Sequence, residues 1–173
     1  MKGVIPKCLG ELVEKKFGKD KWEAILKEAG LSEKTIFMAV ENIDDADVLK
    51  VVGATCNQLN ITLQQAADAF GEYWVCEFSP KMYAAYYKNK KSAKEMLLAM
   101  DEIHQKTTLN MKDAKPPRFE YEWKDDKTLI MHYKSARGMV DFLVGLIKGV
   151  GKYFKENLKV NKLSETQVEV IFK

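Results

Sequence analysis

A chain of 173 residues with 46% hydrophobic content is long enough for one globular domain with a sizeable core. Its formal net charge of +3, carried by interspersed lysines and acids, is too small and too evenly spread to indicate nucleic acid. The three cysteines, Cys8, Cys56 and Cys76, lie far apart without a CxxC pair, which argues against a disulfide framework or a zinc site and suits buried thiols in a reducing compartment. The opening "MKGVIPKCLGELVEKK" has no signal-peptide apolar region, and no run reaches the roughly 18 apolar residues of a membrane span. The expected protein is soluble and cytoplasmic, with no membrane segment.

Helical spacing dominates the first two thirds. "LGELVEKKFG" carries Leu9, Leu12, Val13 and Phe17 on one face and stops at Gly18; "DKWEAILKEAG" repeats the pattern and stops at Gly30. "DDADVLKVVGATCNQLN" and "TLQQAADAFGEYWVCEF" read as two further helices, the second with Thr62 and Gln65 set as a capping box. "SAKEMLLAMDEIHQKTTLNM" reads as one long helix capped by Ser92. Pro116 and Pro117 then end helical structure. "RFEYEWK" and "TLIMHYK", separated by a turn signal, alternate as a hairpin. "GMVDFLVGLIKGVGKYFKE" returns to a helix, and "NLKVNK" with "TQVEVIFK" closes the chain as two more strands. The expected class is α+β: a helical part over about residues 1–114 and an antiparallel sheet with an inserted helix over about 115–173, within one domain.

Few residues can carry chemistry. His104 lies beside the apolar stripe formed by Met96, Leu97, Met100, Thr107 and Met111. A histidine there is either a satisfied core residue or a metal ligand. Without companion cysteines or histidines it cannot build a zinc site, but it can supply the single axial bond that a haem iron needs. The other histidine, His132, belongs to the opposite strand face from Tyr133. Tyr133, Ser135 and Arg137 are spaced two apart, so an extended chain aims all three to one side. They form either a solvated strand end or three donors converging on a carboxylate or phosphate. Arg118 and Arg137 are the two arginines among many lysines, and a planar fork is what arginine adds. An axial histidine, an apolar wall and donors for two propionates together match haem. "DDAD" lacks the calcium-loop spacing, and there is no nucleophile–base pair, phosphate loop or pair of catalytic carboxylates.

With "MDEIHQKT" and "YKSAR" both in view, the sequence resembles the haem nitric oxide/oxygen-binding (H-NOX) family, which includes the haem domain of soluble guanylate cyclase. The opening "MKGVI", "FGEYW", "PPRF" and "GLIKGVGKYF" match in order, so the resemblance covers essentially the whole chain. It implies the H-NOX fold, haem b (iron protoporphyrin IX) held between the helical and sheet parts, His104 as proximal iron ligand, and Tyr133, Ser135 and Arg137 clamping the propionates. It implies that Pro117 and Ile5 press on the porphyrin. It further implies a distal pocket of Ile5, Leu9, Trp74, Phe78, Phe142 and Leu146.

Oxygen-binding members carry a distal tyrosine at the position of Phe142. Phenylalanine offers no donor, so the departure points to nitric oxide and carbon monoxide rather than oxygen. Trp74 keeps the alternative open, because its indole N–H could serve as a distal donor. The function implied is a non-enzymatic gas sensor. Nitric oxide would weaken the bond to His104 and shift the helical part against the sheet part. The partners implied are a histidine kinase, a cyclic-di-GMP enzyme, or a fused chemoreceptor or cyclase. An oxygen sensor or carrier is the alternative. A haem enzyme is disfavoured by the absence of a distal histidine or arginine, and a haem-free pocket for another apolar carboxylate is a fourth class.

Overall fold

The computed structural model describes residues 1–173. Its elements are α1 (Val4–Phe17), α2 (Lys19–Glu28), α3 (Asp45–Leu59) and α4 (Leu63–Tyr73), then α5 (Ser79–Met82), α6 (Ala84–Lys88), α7 (Ala93–Leu98) and α8 (Met100–Thr108). The strands β1 (Arg118–Trp123) and β2 (Thr128–Lys134) follow, then α9 (Val140–Phe154), β3 (Leu158–Ser164) and β4 (Gln167–Phe172). The four strands form one antiparallel sheet in the order β1-β2-β4-β3, with α9 inserted between its hairpins. The chain is therefore α+β, as its periodicities predict. No helix is long and apolar enough to cross a membrane.

The chain divides into two compact units, one of Met1–Ala66 with Lys112–Ala114, the other of Ala67–Met111 with Lys115–Lys173. The first contains α1 to α3. Gly18, at φ 87°, ends α1 in a conformation that costs glycine little, and Asp44 caps α3 by accepting from the Ala46 N–H at 2.8 Å. Leu12, Val13, Trp22, Ile25, Leu26, Val48 and Val51 are buried. Ile5 is half-buried and Leu9 buried, both on α1.

The second unit is built around the sheet and α9. Met131 and Tyr133 of β2, Val168 and Val170 of β4, and Leu143, Val144, Ile147 and Val150 of α9 form one buried cluster. Helix α9 meets α4 with almost no separation. A Cβ at Gly145 would stand 2.1 Å from the Ala67 carbonyl oxygen, and one at Gly71 would stand 2.1 Å from the Gly145 backbone. Only glycine permits this approach. The Thr62–Gln65 capping box forms as expected, with Gln65 N–H on the Thr62 hydroxyl at 3.2 Å and Thr62 N–H on the Gln65 amide oxygen at 2.8 Å.

Three local expectations fail. The helix after Thr62 does not remain α-helical: Trp74–Phe78 is a π-helical turn. Pro80 follows it, and its ring has no N–H for the Cys76 carbonyl and crowds it, which the wider turn relieves. The long helix capped by Ser92 is two helices, interrupted at Ala99 and ended at Thr108. At the interruption the Tyr121 phenol takes the place of a backbone hydrogen bond. Finally, Tyr133, Ser135 and Arg137 are not one extended run. Strand β2 ends at Lys134, and the Ser135 hydroxyl accepts from the Arg137 N–H at 3.3 Å, turning the chain before Gly138 at φ 64°.

The helix contact gives a test of the packing. Gly145→Ala should lower stability by about 1–3 kcal/mol, the usual cost of overpacking, read from the urea midpoint. A change within about 0.5 kcal/mol, the range of neutral surface substitutions, would contradict the close approach.

Candidate cofactor site

His104 occupies the second turn of α8. Its Nδ1 lies 3.3 Å from the Pro117 carbonyl oxygen. A carbonyl can only accept, so the ring donates from Nδ1 and Nε2 keeps its lone pair. Burial is the main cause that pushes the imidazole pKa down; the Pro117 carbonyl and the Asp101 charge act in the opposite direction. The group is thus a neutral imidazole with its tautomer fixed, the form that binds a metal through the second nitrogen. No cluster of three His, Cys, Asp or Glu side chains gathers anywhere to hold an ion without a prosthetic group. His132 is engaged elsewhere: its Nε2 lies 3.0 Å from the Glu122 carboxylate and its Nδ1 is 3.3 Å from the Gln167 amide.

The Pro116–Pro117 segment presents that carbonyl because both ends of it are tied. Downstream, the Asp101 carboxylate accepts two bonds from the Arg118 guanidinium, at 2.8 and 2.7 Å, and one from the Phe119 N–H at 2.9 Å. This fork holds the Asp101 carboxyl well below the usual carboxylate range, with the Arg118 hydrogen bond as the largest cause. Upstream, the Arg137 guanidinium donates to the Lys115 carbonyl. One member of the polar triplet is therefore bonded to the residue just before Pro116.

Phe119 brings the remaining parts together. Its ring lies 5.5 Å from the His104 ring and 6.1 Å from the Tyr133 ring, and it pairs with Tyr133 in the β1–β2 register. Tyr133 is buried, yet its hydroxyl has no hydrogen-bond partner within the chain. Ser135 and Arg137 are half-buried in the turn that follows.

A second cluster is aromatic. Trp74 stacks on Phe70 at 5.7 Å and on Phe78 at 5.3 Å, and Phe142 meets Phe70 edge-on at 5.4 Å. The π-helical turn and the glycine contact of α4 with α9 set these rings. The Trp74 indole N–H has no partner within the chain, and Leu146 packs half-buried against the core beside them. Phe142 brings no donor. Ile5 and Leu9 stand in the other compact unit, on α1.

Sequence reasoning missed Phe119, Phe70 and Asp101 as parts of the site. The alternation of "RFEYEWK" marks Phe119 and Tyr121 as one strand face, but nothing local says that the face meets His104. A neutral imidazole with a fixed tautomer, an unpaired phenol and an aromatic wall without charge fit an apolar metal-bearing plate with carboxylates at its rim.

Comparison with known proteins points the same way. A family model described as Haem-NO-binding matches residues 2–162. Soluble guanylate cyclase gcy-35 of Caenorhabditis elegans is 24% identical over 179 residues, a stretch that takes in 98% of this chain and 25% of that protein. Soluble guanylate cyclase gcy-37 of the same organism is 25% identical over 170 residues, covering 92% and 23%. The chain thus spans about a quarter of the length of these curated relatives. The crystal structure of an oxygen-binding H-NOX domain related to soluble guanylate cyclases, in its oxygen complex, superposes with a TM-score of 0.84 at 25% identity, covering 100% of this chain and 95% of that one. The I5F mutant structure of T. Tengcongensis H-NOX gives a TM-score of 0.84 at 24% identity, covering 100% and 98%.

The depressed pKa of His104 has a consequence for stability. The folded chain binds fewer protons than the unfolded chain as pH falls through the ordinary imidazole range. This contribution is complete above that range and is lost below it. The urea midpoint of the haem-free chain should fall from about pH 7.5 to about pH 5.5, and His104→Phe should reduce that fall. An identical fall in both proteins would show that the imidazole is not buried in its neutral form.

Proposed function

The chain belongs to the Haem-NO-binding family, and on that footing we propose that it is a sensor domain that holds haem b through His104 and responds to nitric oxide rather than oxygen. Domains of this family bind haem and a gaseous ligand. The haem, when bound, would supply an iron that can take a diatomic gas.

The chain's residues do the rest. His104 offers the Nε2 lone pair, with Pro117 holding the ring in the required tautomer. Tyr133, Ser135 and Arg137 would offer a phenol, a hydroxyl and a guanidinium to the propionates, and the guanidinium would make the strongest contact because it is charged and forked. Pro117 would press on the porphyrin. Trp74, Phe78, Phe142 and Leu146 would line the gas side.

The observation that carries the choice of gas is Phe142, edge-on against Phe70 without a donor. Bound oxygen gains from a hydrogen bond and nitric oxide does not need one. A neutral hydrogen bond contributes about 0.5–1.5 kcal/mol, and more in a dry pocket. A second reading, oxygen binding, is favoured by the Trp74 indole N–H, which has no partner within the chain and belongs to the same aromatic cluster.

Signalling follows from the placement of His104 on a short helix. A change in the pull on His104 would move α8, and a partner that prefers one arrangement would be switched by that difference in affinity. The partner classes are a histidine kinase, a cyclic-di-GMP enzyme, or a chemoreceptor or cyclase continuous with the domain, all acting in the cytoplasm.

The absorption spectrum of the reduced protein under each gas tests the choice. Nitric oxide and carbon monoxide should each change it, and air should leave no persistent oxygen complex. A lasting oxygen spectrum would assign Trp74 or a water as donor and place the protein among the oxygen binders. His104→Gly should lose haem or the normal reduced spectrum while His132→Ala keeps it; the reverse would remove His104 as ligand.

A further inference from the structure

Tyr121 has no part in the functions above, yet its hydroxyl sits at the joint that leads to His104. The phenol O–H donates to the Leu97 carbonyl at 2.9 Å, and the Asp101 N–H donates to the phenol oxygen at 3.3 Å. Leu97 and Asp101 are four residues apart, the pair that an unbroken α-helix bonds directly. A side-chain oxygen is thus spliced into the ladder of a helix that would otherwise continue.

The sequence supplies no other cause for the break. Between Ser92 and Thr108 there is no glycine and no proline, and Ser92 caps the start by accepting from the Glu95 N–H at 3.1 Å. The break is confined to Ala99, at φ −85° and ψ −7°, with α7 ending at Leu98 and α8 beginning at Met100. Tyr121 is held for this task. It lies on β1, packs against the core, and pairs with Met131 across the sheet. Burial raises its pKa, so the phenol stays protonated and can both donate and accept.

The splice also fixes the first turn of α8. Asp101, whose N–H the phenol receives, uses its carboxylate to hold Arg118 and the Phe119 N–H. Phe119 lies against His104, and the Pro117 carbonyl receives His104 Nδ1. Strand β1 therefore grips α8 at its backbone through Tyr121 and at its side chain through Asp101.

We infer that Tyr121 is a positioning residue for His104: its hydroxyl sets the bend between α7 and α8 and so the direction from which the imidazole is presented. This rests on the reading of His104 as the iron ligand. The same backbone groups have a second way of being satisfied, a direct Leu97–Asp101 bond in a continuous helix. A changed pull on His104 would act on this joint by trading the first bonding for the second.

The test is Tyr121→Phe in the haem-loaded protein, which keeps the ring and removes the oxygen. Amide hydrogen exchange reads the backbone without reference to iron. The protection of Asp101 should change by about two- to tenfold, the equivalent of one hydrogen bond, with α9 unchanged. Resonance Raman of the reduced protein reads the bond to His104: its iron–histidine band should shift from the wild-type position. Replacing Tyr121 with 3-fluorotyrosine, which retains the hydroxyl and the shape, should restore the exchange pattern and return the band towards wild type. If Tyr121→Phe fails to hold haem, the exchange comparison still decides, because it needs no iron. Unchanged Asp101 exchange in Tyr121→Phe would overturn the splice. Altered exchange with an unmoved band would overturn the positioning role. A wild-type protein without an iron–histidine band would overturn the ligand assignment instead, and with it the role given to Tyr121.

Discussion

The site depends on one hydrogen bond, from His104 Nδ1 to the Pro117 carbonyl. It decides which nitrogen of the only suitably placed imidazole is available. Burial alone would leave a neutral ring free to choose its tautomer. The carbonyl removes that choice, because it has lone pairs and no proton to give. Much of the surrounding structure serves to keep that carbonyl in place. Two prolines stiffen the segment, Arg137 ties its upstream end at Lys115, and Asp101 ties its downstream end at Arg118 and Phe119. The triplet that the sequence suggests for carboxylate binding is thereby linked to the segment that orients the histidine.

The aromatic cluster proposed for the gas side is set by backbone contact. Three glycines, Gly71, Gly145 and Gly149, let α4 and α9 touch without side chains between them. That contact places Phe142 against Phe70, and the π-helical turn aligns Trp74 with Phe78. An aromatic wall held this way can be selective by omission. Its one polar hydrogen is on Trp74, so the contest between the two gas readings comes down to a single N–H.

The legible part of this protein is the part governed by neighbours in sequence. Helix starts at Thr62 and Ser92, the stop at Gly18, the hairpin and the inserted helix all follow from spacing and capping chemistry. The illegible part is tertiary. Nothing between Ser92 and Thr108 forbids a continuous helix, and the break comes from a tyrosine on a strand that has yet to be made. Ser135 leaves the strand because its hydroxyl takes the Arg137 N–H, a local bond that period-two counting does not weigh. Phe119 reads as an ordinary strand residue until the sheet sets it between His104 and Tyr133.

The most direct test is the protonation state of His104, read by ¹⁵N NMR of the histidine-labelled, haem-free protein at neutral pH. The expected spectrum shows a neutral ring with the proton on Nδ1 and a bare Nε2, with the His132 signals identified by their loss on mutation. A proton on Nε2, or a charged ring, would mean that Pro117 does not fix the tautomer, and the site would not be ready to bind iron.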